Sequence, residues 1–175
     1  MKERIEKQLE FALEIDKVKN IFRQTHLSGY VRNENDAEHS WHMAIMAYLL
    51  REYANEKVDI TKVMLMCLVH DIVEIDAAKE RIFSILPEEQ KAEFIALFDE
   101  FEAYETAESK FAHAMDNLQP LLLNNSNGGR DWREHEVTAK QVYGRQAKTK
   151  LGSEELYKVV DHIIQENIQI GTIKE

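Results

Sequence analysis

An apolar run that ends in a histidine and an aspartate is the feature that most constrains how this chain can fold. The run covers Val63–Val69, and His70 and Asp71 follow it directly. Asp59 is placed to cap a helix that carries the run. A helix that is apolar on all sides is typical of a buried central helix. The sequence therefore predicts a core helix that delivers two polar side chains to the protein interior.

Helix-forming residues dominate the rest of the chain. Among its 175 residues are only six glycines and two prolines, and stretches of alternating Val and Thr are absent. Apolar side chains recur at helical spacing, and Asn35 with Glu38 forms a capping-box pattern before a second helix. This composition predicts an all-α protein, and we expect residues 1–175 to form a single domain.

Three features are expected to interrupt or end the predicted helices. Gly29 marks the turn of a connecting segment. Pro120 is expected to disturb a helical region that extends from Phe94 to Leu123. Residues 124–129, Asn-Asn-Ser-Asn-Gly-Gly, give the strongest loop signal in the chain.

Charge and cysteine content argue against several classes of function. The formal net charge is -10, whereas binding to nucleic acid or to an anionic membrane requires a basic surface. No stretch approaches the roughly 20 apolar residues that span a bilayer, and the first residues lack the apolar core of a signal peptide. Cys67 is the only cysteine and is expected to be buried. We therefore expect a cytoplasmic protein that binds neither nucleic acid nor a membrane.

His70, Asp71 and Glu74 are the first candidates for chemistry. Burying a histidine and a carboxylate is costly unless they are paired, hydrogen-bonded or bound to a metal, and this pair suits Mn, Fe, Co or Zn. On a continuous helix Glu74 would share a surface with both residues and could act as a general acid or base. A histidine satisfied within the core is the alternative for His70, and a solvated helix end is the alternative for Glu74.

His39, His42 and Asp116 are further candidates, and the residues alone do not decide among them. The two histidines are three positions apart on the predicted second helix, so either could reach a site shared with His70. Asp116 lies among small and apolar side chains, where a helix cap or a surface position would explain it equally well.

The order of these residues resembles that of the HD superfamily of metal-dependent phosphohydrolases. The family pattern is a histidine, a His-Asp pair and a later aspartate on different helices, which here corresponds to His39, His70 with Asp71, and Asp116. The segments RNENDAEHSWH at 32–42, HDIVEIDA at 70–77 and DNLQPLLLN at 116–124 are similar to those of the branch related to bacterial 5′-deoxynucleotidases. The likeness extends from about Lys17 to Arg133 and selects His39 over His42.

The resemblance implies a helical bundle with a single metal site between its helices. One divalent ion (Mn, Co, Fe, Zn, Ni or Mg) would be held by His39, His70, Asp71 and Asp116. The implied activity is release of phosphate from (deoxy)nucleoside 5′-monophosphates, with Glu74 as the general acid/base. A nucleotide phosphodiesterase or pyrophosphohydrolase, or a nucleotide-binding protein without catalysis, is the alternative function.

The resemblance also implies substrate contacts and a homodimer. Arg23 and Arg32 are the expected phosphate or base-side contacts, and a surface salt bridge is the alternative for each arginine. Relatives often have Gly-Asp where this chain has Ala78 and Lys79, so Lys79 is expected to change substrate choice. The phenylalanines expected at the surface, where they would support a dimer, are Phe94, Phe98 and Phe101.

Overall fold

Helices carry most of the chain, and the prediction of an all-α protein is confirmed. The computed structural model describes residues 2–75 and 79–175, and 73% of these residues are helical. None of the helices in these two ranges combines the length and the apolar character that a membrane span requires. The helices are α1 Lys2–Glu14, α2 Asp36–Leu50, α3 Ile60–Val69, α4 Lys79–Phe83, α5 Glu88–Ala103, α6 Ala107–Ser126, α7 Arg130–Glu134, α8 Ala139–Gln146, α9 Thr149–Gly152 and α10 Glu154–Gln169.

A short antiparallel hairpin lies between α1 and α2, where the sequence predicts only a connecting segment. Strand β1 (Phe22–His26) pairs with β2 (Asn33–Asn35), and the register is irregular between the paired ends. Gly29 occupies the turn with φ of +82°, as predicted for a turn residue. The Asn33 side chain donates a hydrogen bond to the carbonyl oxygen of Arg23 at 2.9 Å. The hairpin thereby holds Arg23 beside the start of α2.

The start of α2 follows the predicted capping box. Asn35 Oδ1 accepts a hydrogen bond from the Glu38 N–H at 2.9 Å, and a Glu38 carboxylate oxygen accepts one from the Asn35 N–H at 3.1 Å. This cap fixes the direction in which α2 enters the bundle. Asp36 and His39, in the first turns of α2, are both buried.

Helix α3 begins with the predicted Asp59 cap but is buried on one side only. Asp59 Oδ1 accepts a hydrogen bond from the Thr61 N–H at 3.0 Å. Leu65 and Leu68 are 47% and 42% exposed, so the prediction of a helix buried all round is wrong. Helices α2, α5 and α6 pack against α3 and leave its remaining face to solvent. The buried residues of α3 are Val63, Met66, Cys67 and Val69.

Helices α5 and α6 are separate, and the phenylalanines of α5 pack inward. The chain turns at Tyr104, which has φ of +58° and ends α5. Phe101 is buried, and Phe94 and Phe98 pack partly buried on an apolar cluster that includes Phe83. The prediction that these α5 phenylalanines lie at the surface is wrong, because α5 covers the cluster formed with α1 and α4.

Helix α6 continues through Pro120, contrary to the predicted disturbance. Two side chains donate hydrogen bonds to backbone carbonyl groups in this part of the helix. Asn124 Nδ2 donates to the carbonyl oxygen of Pro120 at 2.8 Å, and Gln146 Nε2 donates to that of Asn117 at 2.7 Å. The helix ends at Ser126, so the predicted loop at 124–129 begins later than expected.

Candidate metal centre

Three potential ligand atoms meet where α2, the end of α3 and α6 come together. His39, His70 and Asp116, here called the triad, each offer one nitrogen or oxygen, and these atoms lie within 4.8 Å of one another. His39 Nε2 lies 3.1 Å from Asp116 Oδ1. Two imidazoles and a carboxylate form a donor set that suits Mn, Fe, Co or Zn. The triad fits a divalent metal ion.

His70 presents an unsatisfied nitrogen to this site. Its Nδ1 lies 2.8 Å from the carbonyl oxygen of Cys67, and a carbonyl only accepts, so Nδ1 carries the proton. In the neutral imidazole its Nε2 then has a lone pair, and this atom is buried and has no hydrogen-bond partner among residues 2–75 and 79–175. Asp71 Oδ2 lies 3.0 Å from Nε2 but is an acceptor as well. Two facing acceptors are satisfied when a cation lies between them.

His39 is oriented by a chain of buried hydrogen bonds. Its Nδ1 lies 2.9 Å from Gln119 Oε1, and Gln119 Nε2 donates to Glu34 Oε1 at 2.6 Å. Glu34 is only 1% exposed, and its carboxylate can only accept, so the Gln119 amide has one possible orientation. In the neutral imidazole, the form that binds a metal, that orientation places the His39 proton on Nδ1 and leaves the Nε2 lone pair facing Asp116. Such partners orient histidine ligands at metal sites.

The carboxylates around the triad favour the positively charged form of His39. Burial alone would lower the pKa of His39, but its contacts with Asp116 and Glu34 outweigh burial and raise the pKa to about 9. Burial would raise the pKa of the Asp116 carboxyl, but His39, His70 and Arg145 hold it well below its usual range. Asp116 is therefore ionised at neutral pH and available as a ligand.

Arg23 from β1 reaches the same site and binds the carboxylates beside the triad. Its Nη1 lies 2.7 Å from Asp71 Oδ2 and 3.0 Å from Asp36 Oδ1, and its Nη2 lies 4.0 Å from Asp116 Oδ1. Asp71 is thus held by Arg23 and touches His70, but it is outside the three-residue group. Its role as the fourth ligand stays a prediction.

The other predicted site residues are outside the triad, and two of them fall wholly or partly outside the described residues. Helix α3 ends at Val69, so the expectation of one helix surface shared with Glu74 is wrong; Glu74 is exposed in a 3-10 turn at Ile72–Ile75. Arg32 Nη1 donates to Glu38 at 2.9 Å, the surface salt bridge that was the alternative interpretation. Lys79 begins α4, and its side chain lies outside the described residues, as does Ala78.

Sequence reasoning missed three residues that the structure brings to this region. Glu34 and Gln119 both lie within the segments that carry the family resemblance, so their proximity to ligand positions was the available signal. Arg145 on α8 lies beyond those segments, and nothing in its sequence context separates it from other helical arginines. The structure leaves His42 outside the triad, with its Nδ1 3.1 Å from Gln119 Nε2.

The fold and the sequence both match proteins with this kind of site. A solved structure described as a predicted metal-dependent phosphohydrolase, from Magnetospirillum magnetotacticum MS-1, has a TM-score of 0.93 and 43% identity, and the match covers 98% of this chain and 96% of that chain. The human 5′-deoxynucleotidase HDDC2 is 24% identical over 111 residues, and its Xenopus laevis counterpart is 29% identical over 106 residues. The matched segments cover 52% and 51% of this chain and 53% of each relative, so the chain spans about half the length of these relatives.

The HD domain family matches this sequence directly, over residues 15–79 and 76–157. These ranges include the triad residues His39, His70 and Asp116, which are also the residues through which the sequence resembles the family. The chain therefore belongs to the HD domain family.

Proposed function

We propose that this HD domain protein is a metal-dependent phosphohydrolase that releases phosphate from nucleoside 5′-monophosphates, including deoxynucleotides. The observation that carries the proposal is the triad, whose ligand atoms lie within 4.8 Å of one another beside a buried, unpartnered His70 Nε2. The phosphohydrolase with the same fold supports the class of reaction. The relatives named 5′-deoxynucleotidase support the class of substrate.

The proposed cofactor is one divalent ion (Mn, Co, Fe, Zn, Ni or Mg) held by the triad, with Asp71 as a fourth ligand. When bound, such an ion supplies Lewis-acid polarisation of a phosphate ester and lowers the pKa of water. Arg23 fixes the orientation of Asp71 through their 2.7 Å contact. Gln119 fixes the His39 tautomer through their 2.9 Å hydrogen bond.

Proton transfer is assigned to Glu74, and charge stabilisation to arginine. Glu74 is exposed three residues after Asp71, so it can exchange protons with solvent while it either activates water or protonates the leaving 5′-oxygen. Arg23 is placed to offset phosphoryl charge, since Nη2 lies 4.0 Å from Asp116 Oδ1. Arg32 and Lys79 remain predicted substrate contacts.

Phosphate release from nucleoside and deoxynucleoside monophosphates tests the proposal. The protein is stripped of metal, and Mn, Co, Mg or Zn is added back, beside the variants His70→Ala and Arg51→Gln. Arg51 is an exposed arginine that contacts the Tyr48 ring, and its variant is the surface control. We expect metal-dependent release that is retained in Arg51→Gln and absent in His70→Ala.

The products distinguish the alternatives in the same assay. Release of a nucleoside monophosphate from a diester or pyrophosphate substrate, with none from monophosphates, would replace the proposed activity by phosphodiesterase or pyrophosphohydrolase activity. No release from any substrate with any metal would contradict the enzyme proposal.

We further propose a homodimer that forms through the outward faces of α2 and α3. Trp41 and Leu49 on α2 are 62% and 66% exposed, and Ile45, Leu65 and Leu68 extend the same apolar surface. Exposed apolar side chains on neighbouring helices can form an interaction surface, and the family resemblance makes a second copy the expected partner. Leu49→Glu should convert a dimer to a monomer in sedimentation analysis. A wild-type monomer at all concentrations would contradict this assignment.

We also propose that residues 1–175 form one HD domain and that the protein is cytoplasmic. The family match within residues 15–157 supports one domain, and the buried free thiol of Cys67 fits a reducing compartment. Limited proteolysis should yield one core fragment, and cell fractionation should recover the chain with cytosolic proteins. Two independently stable fragments, or recovery with secreted or membrane proteins, would contradict these assignments.

A further inference from the structure

The β1–β2 hairpin carries Arg23 to the triad, and its position depends on contacts with the rest of the fold. A two-stranded hairpin on its own is marginally stable at best. At the end near the triad, Arg23 Nη1 contacts carboxylate oxygens of Asp71 and Asp36. The Asp36 N–H also donates a hydrogen bond to the carbonyl oxygen of Ile21, directly before β1, at 3.1 Å. These contacts hold one end of the hairpin and leave its turn to be held elsewhere.

Asp131 on α7 anchors the turn end of β1. Its Oδ2 accepts a hydrogen bond from the His26 N–H at 3.1 Å, and its Oδ1 lies 2.8 Å from His26 Nδ1. The same Oδ1 accepts a hydrogen bond from the Tyr30 hydroxyl at 2.9 Å. Asp131 is buried, and removing one side of a hydrogen bond to a buried charged group is costly. Helix α7 is itself fixed in the core through its buried Trp132.

Further contacts fasten the turn of the hairpin to the segment between α6 and α7. Asn127 Nδ2 donates a hydrogen bond to the Leu27 carbonyl oxygen at 3.0 Å, and Asn127 Oδ1 accepts one from the Gly29 N–H at 2.9 Å. The Arg130 guanidinium lies 4.0 Å from the centre of the Tyr30 ring. The hairpin is therefore held at both ends, by carboxylates of the candidate metal centre at one end and by α7 with its preceding segment at the other.

We propose that Asp131 is a positioning residue for Arg23. By anchoring β1 at His26, it holds the Arg23 guanidinium against Asp71 and beside the triad. The two ends of this link are close, because Arg23 lies three residues before His26, about 10 Å along a strand. The inference rests on the proposed function, in which Arg23 offsets phosphoryl charge. A misplacement of about 1 Å at a reacting group can lower a rate about 100-fold, so a loosened strand should impair turnover.

A double-mutant cycle separates positioning of Arg23 from general stabilisation. The kcat and KM for deoxyadenosine 5′-monophosphate are measured at saturating metal for the wild type, Arg23→Gln, Asp131→Ala and the double variant. We expect Asp131→Ala to lower kcat about 10–100-fold in the wild type. In the Arg23→Gln background it should have less than about a twofold effect, since the group that it positions is gone. An equal loss of kcat in both backgrounds would overturn the proposal.

Three further variants complete the cycle. Asp131→Asn keeps an oxygen that can accept from the His26 N–H, so its kcat should stay within about fivefold of the wild type. Tyr30→Phe removes one donor to Asp131 and should cause a smaller loss that Arg23→Gln again abolishes, which keeps the test valid if Asp131→Ala fails to fold. The control is Asp161→Ala, which removes a tyrosine–aspartate hydrogen bond between α8 and α10 and should leave kcat unchanged.

Nuclear magnetic resonance of nitrogen-15-labelled arginine reports on Arg23 whether or not the protein releases phosphate. The Nη signals of a guanidinium held by carboxylates are resolved, whereas free rotation averages them, and the Arg23 signals are assigned by their loss in Arg23→Gln. We expect resolved signals in the wild type and Asp131→Asn, and averaged signals in Asp131→Ala. That result without phosphate release under any metal would uphold the positioning role and remove the nucleotidase proposal. Resolved signals in Asp131→Ala, with phosphate release intact, would overturn the positioning role alone.

Discussion

In the candidate metal centre the Nδ1 atom of each histidine has a protein partner, whereas in a cavity of about 280 Å³ between β1, α6, α7 and α8 the Asn124 side-chain oxygen has none within the described residues. His70 Nδ1 lies 2.8 Å from the Cys67 carbonyl oxygen, and His39 Nδ1 lies 2.9 Å from Gln119 Oε1. In the cavity, Asn124 Oδ1 is buried without a donor. Folding thus fixes the orientation of both imidazoles before a metal binds, whereas in the cavity it leaves one buried acceptor without a donor.

Because the two regions differ in this way, mutations in one should have different effects from mutations in the other. Changes around the triad should alter metal affinity, because they alter the orientation and tautomer of its ligands. Changes in the cavity should leave metal affinity intact, because no residue of the triad lines it. The two regions should therefore behave as distinct units under mutation.

The largest effect is expected from His70→Ala. Loss of the buried Nε2 removes one of three clustered ligand atoms, so metal affinity should fall by more than about 100-fold, beyond the usual effect of losing an orienting partner. Isothermal titration with Mn or Zn measures the Kd. An unchanged Kd would remove His70 from the site.

A smaller loss is expected from Gln119→Leu, which removes the acceptor that fixes the His39 tautomer. Metal affinity should fall about 10–100-fold, the range for losing an orienting partner of a ligand. Asn167→Leu is the matched control, since Asn167 is a buried amide whose partners are Asn125 and Ile163. The account requires Asn167→Leu to bind metal as the wild type does; an equal loss in both variants would point to general destabilisation.

Removal of the metal should lower thermal stability. A ligand at 100 times its Kd stabilises the folded state by about 2.7 kcal/mol. For a chain of this size that corresponds to a Tm change of about 5–10 °C, measured by calorimetry with and without chelator. A His70→Ala variant should show no chelator effect. A chelator effect of full size in that variant would place the stabilising ion elsewhere.

The smallest expected effect is on stability alone, and it tests whether the cavity and the triad are independent of each other. Gly129, which precedes α7, has φ of +66°, and an added Cβ would overlap Thr172 Cγ2, whereas Gly128 has φ of +64° with open space around it. Gly129→Ala should therefore be about 1–3 kcal/mol less stable than Gly128→Ala in urea unfolding. Metal Kd should be equal in the two variants. A difference in Kd would show that the two regions are coupled.

The sequence predicts the features that depend on interactions between residues close together in the chain. Asn35 and Glu38 form their capping box, and Asp59 caps α3, because both patterns act over three residues. The family resemblance predicted which of two neighbouring histidines joins the triad, a choice that helical spacing left open. His39 is part of the triad, whereas His42 lies against Gln119.

Features that depend on distant partners could not be predicted in the same way. Leu65 and Leu68 are exposed because α2, α5 and α6 pack on the other side of α3, which the apolar run does not reveal. Pro120 remains within α6, where the side chain of Gln146, 29 residues from Asn117, supplies a hydrogen bond. Arg145 similarly reaches the region of Asp116 only through the packing of α8 on α6.

Metal stoichiometry is the most direct test of a metal site at the triad. The wild type and Asp116→Asn are stripped of metal, reconstituted with Mn, Co, Fe, Zn, Ni or Mg, desalted and measured by elemental analysis. We expect about one ion per chain in the wild type for at least one metal, and a clear loss in Asp116→Asn, which lacks the carboxylate ligand. Equal metal content in the two proteins, or none in the wild type, would contradict a metal centre at His39, His70 and Asp116.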